Sequence, residues 1–177
     1  LKPHYKKNIL EAGTDEVGRG CIAGPVVAAA VILPSIELHP WLNDSKMMSV
    51  EQRVEVEQWI KKHAMSYAIA ELSHTVIDEI NILKASIKAM HMALDRLVIK
   101  PEHILVDGNK FYPYHFIPYT CVVKGDQHYA SIAAASILAK CYRDRLMIEW
   151  HTQFPLYKWN ENKGYPTPFH KHAVKTY

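Results

Sequence analysis

Apolar and polar positions along this chain follow two periods, and the switches between them mark the elements. Residues 9–17 and 26–33 read as strands joined through a glycine-containing turn. The second, Val26-Val27-Ala28-Ala29-Ala30-Val31-Ile32-Leu33, has no polar member, the pattern of a strand buried on both faces. Ser49-Val50-Glu51-Gln52 has the spacing of a capping box and predicts a helix over residues 50–63. Residues 66–72 predict a third strand. Asn81 is a good N-cap, and Leu83, Ile87, Met90, Leu94, Leu97 and Val98 share one face of the helix that follows it. Residues 103–107 and 117–123 read as strands closed by Gly108 and Gly125. A helix rich in alanine is expected over residues 127–150, and a short one from about Thr167. Two strands in succession, then helices alternating with strands, predict an α/β fold with a mixed sheet and helices on its faces. No repeat or linker divides the chain, so residues 1–177 are expected to form one domain.

Composition adds limits. With 49% hydrophobic and 22% charged residues, the chain has the balance of a globular protein rather than a disordered one. The longest apolar run, from Cys21 to Leu33, is broken by Gly24 and Pro25 and falls short of the roughly 20 residues that span a bilayer. No stretch reads as a secretion signal, and Cys21, Cys121 and Cys141 form no CxxC pair. A cytoplasmic protein with reduced thiols is expected. The net charge of +3 arises entirely after residue 100, which permits a polyanionic partner without requiring one.

Candidate chemistry concentrates at three predicted strand ends. Asp15-Glu16-Val17-Gly18-Arg19-Gly20 closes the first strand, Asp107 closes Ile104-Leu105-Val106, and Asp126 follows Val122-Val123-Lys124-Gly125. Ligands of open α/β sheets collect at such ends. Hard cations such as Mg²⁺ prefer carboxylate oxygens together with substrate phosphates. Neighbouring side chains of a strand face opposite ways, so Asp15 and Glu16 serve one site only if the strand ends or bulges there, which Gly18 and Gly20 permit. Simpler roles stay open: Asp126 as the N-cap of the helix after it, Asp107 as a turn former with Gly108. Other site types fail. The chain has no phosphate-binding GxxxxGK[ST] loop, no HExxH zinc motif and no GxSxG elbow. His170 and His172, two apart on a helix, point to different faces and make a poor metal clip.

Taken in order, these motifs resemble bacterial ribonuclease HII, the type 2 ribonuclease H. The resemblance runs from about Glu11 to the end. Gly13-Thr14-Asp15-Glu16-Val17-Gly18-Arg19-Gly20 with Ala23-Gly24-Pro25 is similar to the family's first motif. Asn43-Asp44-Ser45-Lys46, Val106-Asp107-Gly108 and Lys124-Gly125-Asp126 match the next three. Residues 131–140 resemble its long helix, with Arg143-Asp144 at that helix's end, and Lys163-Gly164-Tyr165 with Thr167 and His170 a late loop. Val17 departs from the alanine common there. Members usually continue past Tyr177 into a short basic segment, and the type 3 relatives carry an N-terminal binding domain where only 14 residues precede Asp15 here.

The resemblance implies a ribonuclease H-like fold with a mixed five-stranded sheet. It implies cleavage of the RNA strand in RNA–DNA hybrids and incision 5′ of single ribonucleotides in duplex DNA, leaving a 3′-hydroxyl and a 5′-phosphate. Asp15, Glu16, Asp107 and Asp126 would form a two-metal site for Mg²⁺ or Mn²⁺. Gly18, Arg19 and Gly20 would read the 2′-hydroxyl, Tyr165 would pack at the RNA–DNA junction, and Lys46 and Ser136 would meet phosphates. A monomer is expected, and no protein partner is legible. The competing reading is a catalytically silent nucleic-acid-binding module of the same fold. The full set of four acids speaks against it, since a pure binder would find them repulsive beside phosphate.

Overall fold

The computed structural model describes all residues from Leu1 to Tyr177. Five strands form one mixed sheet: β1 (Glu11–Val17), β2 (Val26–Ile32), β3 (Ser66–Leu72), β4 (His103–Asp107) and β5 (Tyr119–Val122). Their order is β3-β2-β1-β4-β5. The β1–β2 and β2–β3 pairs are antiparallel, while β4 lies parallel to both β1 and β5. The carboxyl ends of β1, β4 and β5 therefore share one edge of the sheet.

β2 is buried along its whole length, as its unbroken apolar sequence predicts. Its alternate residues feed two cores. Val26, Ala28, Ala30 and Ile32 pack toward α3 (Ile82–Asp95), together with Ile87, Met90 and Leu94. Val27, Ala29 and Val31 pack toward α1 (Val50–His63) and α4 (Ala130–Gln153), against Ile60, Ala134 and Leu138. The alanines of α4 let it lie close to β1. At Gly13 the approach is so tight that a Cβ would collide with the backbone of Ser131 and Ile132.

Local signals set several boundaries. The Ser49 capping box forms in full, and α1 spans the predicted residues. Asn81 accepts from the Lys84 amide at 3.1 Å and starts α3. Three expectations need correction. α3 ends at Asp95, so Val98 lies outside the helix and is exposed, while Leu97 is buried from the connecting loop. A seven-residue helix, α2 (His74–Ile80), precedes Asn81; it buries no residue and left no strong apolar stripe to read. The long helix begins at Ala130 rather than 127, after a 3₁₀ turn over Gly125–Gln127. Two further helices, α5 (Trp159–Asn162) and α6 (Pro168–Thr176), close the chain. No helix is long and apolar enough to cross a membrane, and all three cysteines are free.

Candidate active site

Asp15 and Glu16 reach one site by a route the sequence did not suggest. β1 neither ends nor bulges between them: Asp15↔Ala29, Glu16↔Ala28 and Val17↔Val27 are regular pairs with β2. The pairing with β4, by contrast, stops at Thr14↔Val106. Beyond that point β1 and β4 part, and a notch opens at their carboxyl ends. The Glu16 amide, free of the ladder to β4, donates to Asp15 Oδ1 at 2.7 Å.

The notch widens into a cleft of about 510 Å³. Asp15, Glu16, Gly18, Arg19, Gly20, Lys46, Asp107, Ser136 and Tyr165 all line it. Nine of the ten residues singled out from the sequence thus meet in one place. The tenth, Asp126, lies just behind the lining. It is no N-cap: Tyr129 holds that position and α4 has no side-chain cap. The 3₁₀ turn instead buries Asp126 and presents its Oδ2 to Lys46 Nζ at 3.2 Å. Asp107 is not a local turn former either. Its Oδ1 accepts from the Gly125 amide at 2.7 Å, which ties the end of β4 to the turn carrying Asp126.

Crowded acids shape the electrostatics. Asp15 is 5% exposed. Burial, then the charges of Glu16 and Asp107, push its carboxyl well above the usual range. Glu16 is raised by burial, against the pull of Arg19, whose Nη1 lies 3.1 Å from Glu16 Oε1. Asp107 is raised by burial and by Asp126. Burial disfavours the Lys46 ammonium, yet Asp126 outweighs it and the net shift is upward. Such a cluster calls for cations, and Arg19 and Lys46 now supply two. The four acids suit a hard divalent ion by donor type. No three of them stand close enough together to hold an ion by themselves.

A family model described as Ribonuclease HII matches residues 12–177. The chain belongs to the ribonuclease HII family. The Ribonuclease HII of Bacteroides thetaiotaomicron is 53% identical over 98% of this chain and 87% of its own length. Among solved structures, the ribonuclease H2 of Pyrococcus horikoshii OT3 matches with a TM-score of 0.78 at 27% identity, over 94% of this chain and 86% of that one. The ribonuclease HII of Archaeoglobus fulgidus, solved in a complex with PCNA, gives 0.77 at 27% identity, over 95% and 88%. Membership makes this chain a ribonuclease H, a hydrolase, with the expected five-stranded fold.

Two polar residues that line this ribonuclease HII-family cleft, and a third buried behind it, were not singled out from the sequence as site residues. Ser45 lines it and shares a 3.1 Å hydroxyl contact with Ser136. Lys140 lines it, bound to Asp144 Oδ1 at 2.7 Å, with its Nζ 5.6 Å from the centre of the Tyr165 ring. Arg143 is fully buried and has no carboxylate partner. Its guanidinium donates to three carbonyls: Pro25 at 2.9 Å, Ala23 at 2.9 Å and Lys163 at 2.6 Å. It thereby binds the segment after the glycine loop to the loop carrying Tyr165. Gly18, at φ 108°, lets this happen, since a Cβ there would stand 2.8 Å from Arg143 Nε. Arg143-Asp144 was read from the sequence as the end of the family's helix, whereas α4 runs on to Gln153 and holds Arg143 well inside it; that the side chain turns inward is a tertiary fact.

Proposed function

We propose that this chain is a metal-dependent endoribonuclease that cuts the RNA strand of RNA–DNA hybrids. We further propose that it incises 5′ of single ribonucleotides embedded in duplex DNA, leaving a 3′-hydroxyl and a 5′-phosphate. The observation that carries the reading is the meeting of Asp15, Glu16 and Asp107 with the Gly18-Arg19-Gly20 loop and Tyr165 around one cleft. Acid groups for hydrolysis and groups suited to a ribose line the same cleft.

Asp15, Glu16, Asp107 and Asp126 would hold Mg²⁺ or Mn²⁺. A pair of such ions would activate the attacking water and stabilise the leaving oxygen of the phosphodiester. The protein's own groups do the rest. The glycine-flanked loop brings backbone polar groups close to the 2′-hydroxyl, the group that tells RNA from DNA. The Tyr165 ring, 36% exposed at the cleft wall, offers a flat surface to the sugar beyond the ribonucleotide. Lys46 has an exposed ammonium that can turn to a phosphate, a contact that positions without reading sequence. Ser136 is buried and shares its hydroxyl contact with Ser45; with Ser45 as the donor, the Ser136 proton stays free to meet a phosphate.

The test is a labelled duplex carrying one ribonucleotide, incubated with the protein with and without Mg²⁺ or Mn²⁺, and with a continuous hybrid in parallel. Metal-dependent cutting of both, with a 3′-hydroxyl 5′ of the ribonucleotide, is the expected result. Tight binding with no cutting under any metal would identify a binding module instead.

A further inference from the structure

Behind Tyr165 lies a buried histidine whose two ring nitrogens are each held by a hydrogen-bond partner. His170, in α6, is 0% exposed. Trp159 Nε1 donates to His170 Nε2 at 2.9 Å. An indole N–H only donates, so Nε2 must be the unprotonated nitrogen. The neutral ring then carries its proton on Nδ1, which lies 2.9 Å from the Tyr165 carbonyl oxygen and donates to it. The Trp159 ring is itself held: it stacks on Tyr157 with centroids 5.1 Å apart and packs against Phe154 and Trp150. The His170 amide caps α6 by donating to Thr167 Oγ1 at 3.2 Å.

The backbone around Tyr165 is gripped on both sides. Arg143 takes the Lys163 carbonyl, and the Tyr165 amide donates to the Asn162 carbonyl at 2.8 Å. On the far side, the Thr167 amide and His170 both donate to the Tyr165 carbonyl. Only the His170 bond ties that carbonyl to the aromatic cluster of α5, and through it to the end of α4.

We propose that His170, as the Nδ1–H tautomer, is a positioning residue for Tyr165. It links the tyrosine's carbonyl to Trp159 and so fixes how far the ring stands into the cleft. The inference deepens the reading of Tyr165 given above and rests on it. A ring meant to fit a deoxyribose and fit poorly against a ribose must be held to a fraction of an ångström. The effect therefore falls on junction substrates more than on continuous hybrid.

Two replacements separate the two nitrogens. The side-chain amide of Asn places a donor near the Nδ1 position; that of Gln reaches the Nε2 position and leaves the Tyr165 carbonyl without its side-chain donor. In His170→Gln, kcat/KM on a single embedded ribonucleotide should fall roughly 10-fold, with less than about 3-fold on continuous hybrid, the scale of a lost stacking contact. His170→Asn should recover most of that loss. In the unaltered protein, two-bond ¹⁵N–¹H correlation at neutral pH should find the His170 proton on Nδ1. A proton on Nε2 overturns the proposal whether or not the variants fold. So do equal losses on both substrates, or a His170→Gln no worse than His170→Asn. Tyr165→Ala is the reference. If it cuts both duplexes as the unaltered protein does, the reading of Tyr165 falls, and the positioning role with it. If it is impaired while His170→Gln is not, only the positioning role falls.

Discussion

The ammonium of Lys46 lies 3.2 Å from Oδ2 of Asp126, a residue 80 positions away in sequence. Around this ion pair Asp44 accepts from the Lys46 amide at 2.9 Å and from Gln127 Nε2 at 3.1 Å. The segment before α1 is thus latched to the turn before α4. Lys46 occupies the carboxylate that the proposed mechanism assigns to a metal ion, and it is exposed enough to leave.

That arrangement gives opposite expectations for two ligands. Lys46→Gln removes a cation competing for Asp126, so Mn²⁺ should bind tighter without nucleic acid, by roughly 2- to 5-fold for a pair whose cation is exposed. The same change removes a phosphate-neutralising charge. Duplex affinity should fall and its salt slope should drop by about 1. Calorimetry with Mn²⁺ alone and duplex titration across a salt series read the two separately. Movement in the same direction would refute the exchange.

Asp107→Asn should stop cleavage and spare the fold. The amide oxygen can still accept from the Gly125 amide, now at 2.7 Å from Asp107 Oδ1, so the link between β4 and the turn survives. The charge is lost, and the rate should drop roughly 100-fold or more, as for removal of one preorganised electrostatic group. Duplex binding should hold or tighten, since a repulsive charge is gone. Single-turnover cleavage and a binding isotherm together check this.

Gly13→Ala tests the contact that seats α4 on the sheet. The obstacle is the peptide unit joining Ser131 to Ile132, backbone that cannot rotate away as a side chain would. Overpacking of this kind costs about 3 kcal/mol or more. At about 2–4 °C per kcal/mol for a domain of this size, Tm should fall by roughly 6–12 °C or more. A thermal melt by circular dichroism decides it; a change under 2 °C or so would mean the helix shifts freely.

Stability should depend on pH through Glu57, away from the cleft. Burial alone would raise its pKa. Arg145, at 2.6 and 2.7 Å, and Lys61, at 2.8 Å, outweigh burial and hold the carboxyl below its ordinary value. A depressed pKa contributes stability above the unfolded value of about 4.3 and loses it as pH falls through the folded value. Glu57→Gln should therefore be less stable by about 1–2 kcal/mol at pH 7, discounted because Arg145 is half exposed. Urea denaturation of both proteins should show that gap closing below about pH 4. A gap that persists there would assign the loss to packing.

What the sequence determined by itself was whatever a few neighbouring residues decide. The Ser49 capping box fixed the start of α1, Asn81 the start of α3 and Thr167 the start of α6, because a cap is a bond between residues three apart. The apolar run of β2 fixed a central strand. The order of the acidic motifs carried the family, and with it nine of the residues that line the cleft. The tertiary structure decided how those residues meet. Asp15 and Glu16 share a site because β4 leaves β1 after Thr14, not because β1 bends. Asp126 faces Lys46 because a 3₁₀ turn, not the helix itself, carries it. Arg143 turns inward because the carbonyls of Ala23, Pro25 and Lys163, each at least 20 residues away, stand where its guanidinium can satisfy them. Each of these depends on where strand pairing stops or which distant backbone group is left without a partner. Such facts belong to pairs of segments, and no window of sequence around one residue contains them.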